Sequence, residues 1–330
     1  MSTVLQGLNE GLRACLEESE QVCLLGEDLL DPYGGAFKVT QGLSTDFPGR
    51  VIGTPVSEAA IVGAAVGMAI RGLRPVVEIM FGDFLMLAGD QLLNHASKFR
   101  WMSNDKVRVP LVVRTPMGGR RGYGPTHSQS LEKHFLGIPG LRTVALNTCT
   151  SPRDLLRKAV LEDDDPVLLI EHKLLYALAW GEPGDEFEST SLGGFYPAYL
   201  LKIRGAPEAS LTLAAYGYMA ELAKQAMLKL AYEHEVFTEL LVPSQLSPFS
   251  DAYWHERISQ TRTLLTIEEA GLELGWGAEC LARMQEALPG ELRMSRVAAR
   301  QLPVPAAGSL ERAVLPQVDG IVSAALGLLA

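Results

Sequence analysis

The chain has 330 residues, 47% of them hydrophobic, and a net charge of -10 at pH 7. That length gives room for two domains with real cores, and the acidic balance excludes a nucleic-acid backbone as partner, which calls for a basic face. Four cysteines, Cys15, Cys23, Cys149 and Cys280, are scattered with no C-x-x-C pair and read as reduced, mostly buried thiols of a cytoplasmic protein.

Leu5, Leu8, Leu12 and Leu16 recur at helical spacing, and Ser2 or Thr3 can cap that helix. No basic region followed by an apolar one precedes it, so no signal or transit peptide is expected. Val22-Cys-Leu-Leu25 is a short apolar strand ending in Gly26-Glu-Asp28, and Asp31-Pro-Tyr-Gly-Gly35 is turn chemistry. Next, Thr54-Pro-Val-Ser-Glu58 leads into a helix over residues 59–71, with Ser57 as candidate N-cap. Glu58 falls in the first turn, where the helix dipole favours a carboxylate. On spacing alone it is a helix-start residue serving that dipole or a functional acid. Ala59, Gly63 and Gly67 share one face. A glycine costs a helix about 1 kcal/mol relative to alanine, so this face implies close approach of another helix or a ligand. The apolar run is about a dozen residues, short of the roughly twenty that a membrane span needs.

Residues 84–102 read as a second helix and residues 108–114 as a strand. Residues 115–126 hold four glycines, two prolines and the pair Arg120-Arg121, the composition of a mobile loop. The arginines either face an anionic substrate or carrier, or are solvated. The loop ends in His127-Ser-Gln129, where a helix is expected. A strand over 139–145, a helix over 152–162 and an apolar strand over 167–170 follow. Such alternation means a parallel sheet covered on both faces. The pattern weakens from 180 to 207, so the chain divides into residues 1–206, with a linker from about 180, and residues 207–330. The second unit alternates strands at 211–215, 237–242 and 263–268 with helices at 219–234, 251–258 and 277–288. Pro303-Val-Pro305 precedes a last helix.

Thr54-Pro-Val-Ser-Glu58, the small-residue helix, Gly72-Leu-Arg-Pro75 and His127-Ser-Gln129 together resemble a known family. It is the beta subunit of the decarboxylating component of 2-oxoacid dehydrogenase complexes, for pyruvate, branched-chain acids and acetoin. Gly26-Glu-Asp28 followed by Gly34-Gly-Ala-Phe37 resembles it too. The likeness spans nearly the whole chain and is dense to about Tyr176. It implies an α/β protein of two domains, each a mainly parallel sheet flanked by helices. The first would bind the pyrimidine of thiamine diphosphate, and the second would be transketolase C-terminal-like.

The resemblance also implies roles. Thiamine diphosphate supplies the electron sink for decarboxylation, and a buried carboxyl group beside its pyrimidine nitrogen activates it by sharing a proton. That role falls to Glu58. Met80 and Phe84 would line the pyrimidine pocket, although core packing explains them as well. His127 would orient intermediates and help pass the acyl group to a lipoyl arm, a proton-exchanging task suited to histidine. Leu111, Val160, Leu161, Asp163 and Asp165 match a place where the family binds potassium through backbone carbonyls; exposed helix-terminal acids account for the last of these equally well. His95, His134, His172, His234 and His255 show no metal-ligand spacing.

What is missing also informs. Thiamine enzymes hold the diphosphate through magnesium at a Gly-Asp-Gly motif. This chain has only Gly82-Asp83-Phe84, Gly89-Asp90-Gln91 and Gly184-Asp185-Glu186. The expectation is half an active site, completed by an alpha subunit that carries magnesium and the diphosphate, in an alpha2beta2 heterotetramer. A lipoyl-bearing acyltransferase or carrier protein would be the acceptor. Val242-Pro-Ser-Gln-Leu-Ser-Pro-Phe-Ser250 departs from the family, with Ser244 at its arginine position, which leaves the acceptor open. Two alternatives stand beside this reading: a split transketolase-like enzyme moving a two-carbon ketol unit to a carrier, and a non-catalytic scaffold.

Overall fold

The computed structural model describes residues 2–181, 183–250 and 252–330. Two sheets organise them. In the first, six strands run parallel: β1 (Val22–Gly26), β2 (Val51–Gly53), β3 (Arg74–Glu78), β4 (Val112–Met117), β5 (Arg142–Ala145) and β6 (Val167–His172). Their order across the sheet is β2-β1-β3-β4-β6-β5. Successive residues of β1 alternate between two cores. Val22 and Leu24 join the helices Val4–Glu18 and Pro152–Leu161, while Cys23 and Leu25 join the helix Glu58–Ile70. Both faces are therefore covered, which is why these strands are mostly apolar.

Thr3 caps the first helix reciprocally: Gln6 N donates to its Oγ1 at 3.3 Å, and Thr3 N donates to Gln6 Oε1 at 2.9 Å. Gly11 lets that helix close on its neighbour, since a Cβ there would lie 3.0 Å from Arg153 Cα. The long helix expected over 84–102 is instead three short pieces, Gly82–Ala88, Gln91–Ala96 and Phe99–Met102. The first is a tight 3-10 turn and the second a π turn. Gly82 presses against β4 so closely that a Cβ would meet Met117 Cγ at 2.2 Å, and the chain turns there rather than running straight.

The second sheet has the order β13-β12-β9-β10-β8-β7. Its strands are β7 (Phe187–Gly193), β8 (Ala198–Ile203), β9 (Leu211–Ala215), β10 (Thr238–Pro243), β12 (Thr263–Gly271) and β13 (Arg293–Ala299). Strands β13, β12, β9 and β10 are parallel, and β7 and β8 form an antiparallel hairpin at the opposite edge. By sheet membership the chain enters the second unit at Phe187, before the boundary expected near Ala206. The supposed linker is this hairpin, and its polar outer strand hid it from the pattern. The helix expected from 251 is Ala252–Thr261; Asp251 itself lies outside the described residues.

The divergent segment after β10 does not face outward. Its strand β11 (Gln245–Ser247) pairs antiparallel with β5 and becomes the seventh strand of the first sheet. Ser244 is fully buried in the seam: its carbonyl accepts Ala145 N at 2.7 Å and its hydroxyl accepts Asn147 Nδ2 at 3.0 Å. A serine fits where an arginine would have to be paired. The four cysteines are free, and burial pushes the thiols of Cys15 and Cys149 up to about 12, so they are inert at neutral pH.

Candidate active site

The carboxyl ends of the parallel strands of the first sheet open on one edge, where open α/β sheets bind their ligands. Glu27 follows β1, Glu58 follows β2, Met80 and Phe84 follow β3, His127 lies on the loop after β4, and Lys173 follows β6.

Glu58 heads its helix and is buried, 6% exposed. Ser57 holds the N-cap position, yet its side chain makes no capping bond. Among the described residues Glu58 has no hydrogen-bond or ion-pair partner. Glu27 lies near enough to feel it: burial raises the Glu27 carboxyl, and the charges of Glu58 and Asp28 raise it further. The helix buries Ile61, Val62, Ala65, Val66 and Ala69, and leaves Ala59, Ala60, Ala64 and Gly67 exposed. Only part of the close approach read from the small residues occurs within the chain. A Cβ on Gly63 would lie 3.0 Å from Gln91 Oε1, whereas Gly67 faces open space. Val56, just before Glu58, is 80% exposed.

The helix of Glu58 packs on the turn Gly82–Ala88 that carries Phe84. Phe84 meets the His127 ring edge-on at 5.3 Å, and Phe81 meets it at 5.0 Å. His127 is half-buried between them, with Thr126 Oγ1 3.0 Å from its Nδ1. Gln129 donates to Asp83 Oδ1 from its backbone N at 3.1 Å and from Nε2 at 2.9 Å. Phe84 and His127 are thus brought into contact. Met80 is half-buried between β3 and Phe81. Phe37, from the Gly-Gly-x-Phe segment, backs the wall by packing on Phe81 at 5.6 Å.

The loop from β4 to His127 is anchored rather than mobile. Gly119 N donates to Glu269 Oε1 at 2.8 Å, Arg120 N to Glu311 Oε1 at 2.7 Å and Gly122 N to Glu311 Oε2 at 3.2 Å. The Arg120 guanidinium adds Glu269 Oε2 at 3.0 Å and Pro316 O at 2.6 Å. These bonds hold Arg120 in the left-handed region at φ 71°, a conformation that costs a non-glycine residue about 1–2 kcal/mol. Arg120 is therefore an internal clamp, neither solvated nor facing a substrate. Arg121 is exposed, with its guanidinium over the Tyr123 ring at 5.7 Å. Gly118 must be glycine: its φ is 90°, and a Cβ would fall 2.1 Å from His172 Nε2. His172 itself stacks on Tyr218 and lies 3.2 Å from Glu269 Oε1, a structural role.

Three groups near the site escaped sequence reasoning. Lys173 is 1% exposed, and its ammonium donates to the His127 carbonyl oxygen at 2.5 Å. Arg114, buried in the plane of the sheet, forks onto Glu171 at 2.8 and 2.6 Å and also pairs with Glu78. Burial pushes the Glu78 carboxyl up, against the pull of Arg114. The Glu269–Glu311 pair comes from the other domain. A lysine directly after an apolar strand was the one available signal; the rest depend on residues far apart in the chain.

Two family models match the chain: the transketolase pyrimidine binding domain over residues 2–178 and the transketolase C-terminal domain over 202–321. The chain is 35% identical to pyruvate dehydrogenase E1 component subunit beta-2, mitochondrial, of Oryza sativa subsp. japonica, covering 98% of this chain and 85% of that one. The chain belongs to this family of E1 beta subunits. It is likewise 35% identical to the pyruvate dehydrogenase E1 beta subunit of Porphyra purpurea, over 96% of this chain and 94% of the relative. A third relative is the acetoin:2,6-dichlorophenolindophenol oxidoreductase subunit beta of Bacillus subtilis (strain 168), 34% identical over 98% of this chain and 95% of its own length. A solved split gene transketolase, an inactive beta4 tetramer, superposes with a TM-score of 0.75 at 18% identity, covering 99% of this chain and 97% of that one. That likeness is one of fold. The E1 beta subunit is thus a subunit of a thiamine-dependent 2-oxoacid dehydrogenase, an oxidoreductase with the two-domain α/β fold expected of it.

One expected feature of the beta subunit does not fit. Three of the carbonyls assigned to potassium, those of Leu111, Val160 and Asp163, are already engaged. Arg74 Nη1 donates to Val160 O at 2.9 Å and Asp163 O at 3.0 Å, and its Nη2 to Asp164 Oδ1 at 2.9 Å. Leu111 O accepts Val167 N at 2.8 Å. Asp165 pairs with Arg100 at 2.5 Å and Arg142 at 3.2 Å, and Asp163 pairs with Arg142 at 2.9 Å. A guanidinium already supplies positive charge and donors at the end of the helix that includes Leu161, and the neighbouring arginines repel a further cation.

Proposed function

We propose that this beta subunit provides the pyrimidine half of an active site whose magnesium and diphosphate half belongs to a separate alpha subunit with a Gly-Asp-Gly motif. The two would pair as an alpha2beta2 heterotetramer. Glu58 carries the reading. A glutamate largely buried at the head of a helix whose small-residue face is exposed, with a carboxylate that bonds to none of the described residues, is free to meet a ligand from outside the chain. Exposed Val56, Met86 and Leu87 on the same elements fit a surface that a second chain covers.

The residues divide the work. Thiamine diphosphate, when bound, supplies the electron sink that the side chains lack. Glu58 holds a proton at the pyrimidine nitrogen. Met80 and Phe84 line the ring pocket, and Phe81 with Phe84 keeps water from the His127 ring. His127, beyond the cofactor, orients the acyl group as it passes to a lipoyl group on an acyltransferase or carrier protein. Magnesium would be held by the alpha subunit; Asp83, on the turn that carries Phe84, accepts two bonds from Gln129 at Oδ1.

The test is to reconstitute the beta subunit with an alpha chain bearing Gly-Asp-Gly, and to offer 2-oxoacids and ketose phosphates in parallel. Carbon dioxide release from a 2-oxoacid, dependent on both chains, is expected. Consumption of ketose phosphates alone, or turnover by the beta chain without its partner, would overturn the reading.

A further inference from the structure

We propose that Lys173 is a positioning residue for His127: its ammonium grips the His127 carbonyl from beneath the loop and holds the ring against the aromatic wall. The inference rests on the assignment of acyl transfer to His127 made above.

The geometry leaves the far end of the loop with few restraints. Its start is fixed by Glu269 and Glu311 through Gly119, Arg120 and Gly122. Between them and His127, residues 121–126 are exposed apart from Gly124. At the far end Lys173 Nζ donates to His127 O, and Gln129 is tied to Asp83. Lys173 is placed to do this because β6 delivers it: its own backbone N donates to Met117 O at 3.2 Å, which ties the end of β6 to the end of β4, where the loop begins.

The same ammonium lies over the faces of Phe81, at 5.1 Å, and Tyr123, at 5.6 Å. Phe81 is the ring that touches His127, and Tyr123 packs on Phe81 at 6.2 Å. One cation therefore contacts the peptide that carries the histidine and both rings that form its wall. A buried cation over aromatic faces is attracted to the ring quadrupoles, the more so when desolvated. The attraction to the rings requires the charged form, and the hydrogen bond to the His127 carbonyl is strongest in it.

That charge is poised near neutrality. Burial pulls the Lys173 ammonium down to about 8; Asp83, Glu269 and Glu311 facing it support the charge, and Arg121 opposes it. Raising the pH through that value removes the proton, weakens the hydrogen bond and ends the attraction to the rings. Arginine at this position would keep its charge throughout.

The experiment uses the reconstituted alpha–beta complex with Lys173→Met, Lys173→Arg and His127→Ala, and compares acyl transfer to a free lipoyl domain with decarboxylation read through an artificial electron acceptor. The proposal expects Lys173→Met to lower acyl transfer at least tenfold more than decarboxylation. It expects wild-type transfer to decline above pH about 8, and Lys173→Arg to extend it to higher pH. An equal loss of both reactions in Lys173→Met with a lowered melting temperature would make Lys173 merely structural. No loss of either would overturn the proposal as well. If His127→Ala leaves transfer intact, the assignment of His127 fails. If His127→Ala loses transfer and Lys173→Met does not, only the role of Lys173 fails.

Discussion

Two buried carboxylate sites in this molecule are built on opposite principles. Glu269 and Glu311, at the seam between the domains, accept four bonds from the loop after β4, counting the Arg120 guanidinium, and Glu269 also lies 3.2 Å from His172 Nε2 on β6. Glu58, at the mouth of the cleft, is as well buried and bonds to none of the described residues. A satisfied buried acid is part of the frame, since removing it strands its partners. One that bonds to nothing in the frame contributes little to it and stays available to something that arrives later. The difference separates what the chain does for itself from what it does for a ligand.

Substitution should break the two sites in different ways. Glu58→Ala is expected to lower turnover of the reconstituted complex by about 10²–10⁴-fold, the usual worth of a positioned proton-transfer group. Unfolding of the beta chain by urea should change by less than about 1 kcal/mol, the value of a helix N-terminal charge. Glu269→Ala should do the reverse on stability, costing about 3–5 kcal/mol because Arg120 is left buried without its partner. A Glu58→Ala chain that unfolds as easily as Glu269→Ala would erase the distinction.

The pH dependence of stability sharpens it. For Glu269, burial alone would raise the carboxyl, but His172, Arg120 and Gly119 N hold it down at about 2. Its folded value lies below its unfolded one, so it contributes stability above pH about 4.5 that is lost as pH falls toward 2, roughly 3 kcal/mol in all. Its neighbour Glu268 has the opposite sign. Burial pushes it up to about 7, despite bonds from Gly277 N and Trp276 N. Its contribution is present below pH about 4.5 and is lost as pH rises through 7. Chemical denaturation from pH 2 to 8 should therefore show stability rising and then falling, and Glu268→Gln should flatten the upper limb. The smallest expected effect is a null one: with Arg74 on the Val160 and Asp163 carbonyls, exchange of potassium for sodium should leave the melting temperature of the beta chain unchanged.

The same contrast explains what could be read from the residues alone. Strand Leu211–Ala215 and helix Met219–His234 fall where their patterns place them, because one is wholly buried and the other buries Met219, Leu222, Ala223, Ala226, Met227 and Leu230 at helical spacing. Strand Arg293–Ala299 was not foreseen; Arg293, Ser295 and Arg296 make an edge strand look like a loop. Glu58, Phe84 and His127 could be singled out because each lies in or beside a short stretch that resembles the family, and the fold brings Phe84 and His127 into contact. The clamp was not, since Gly119 and Glu269 are 150 residues apart and nothing near either announces the other. The mobile-loop reading failed for that reason: glycine content reports what a backbone can do, and a distant carboxylate decides what it does. The potassium site failed similarly, as Arg74 reaches the carbonyls from 86 and 89 residues away.

The central claim is that Glu58 is one side of a cofactor site closed by a second chain. Calorimetric titration of thiamine diphosphate with magnesium into the beta subunit alone, and then into the reconstituted pair, addresses it without relying on turnover. The account predicts no tight binding to the isolated chain, micromolar or tighter binding to the pair, and weakened binding when the pair carries Glu58→Ala. Tight binding to the isolated chain, or a pair indifferent to the loss of Glu58, would contradict it.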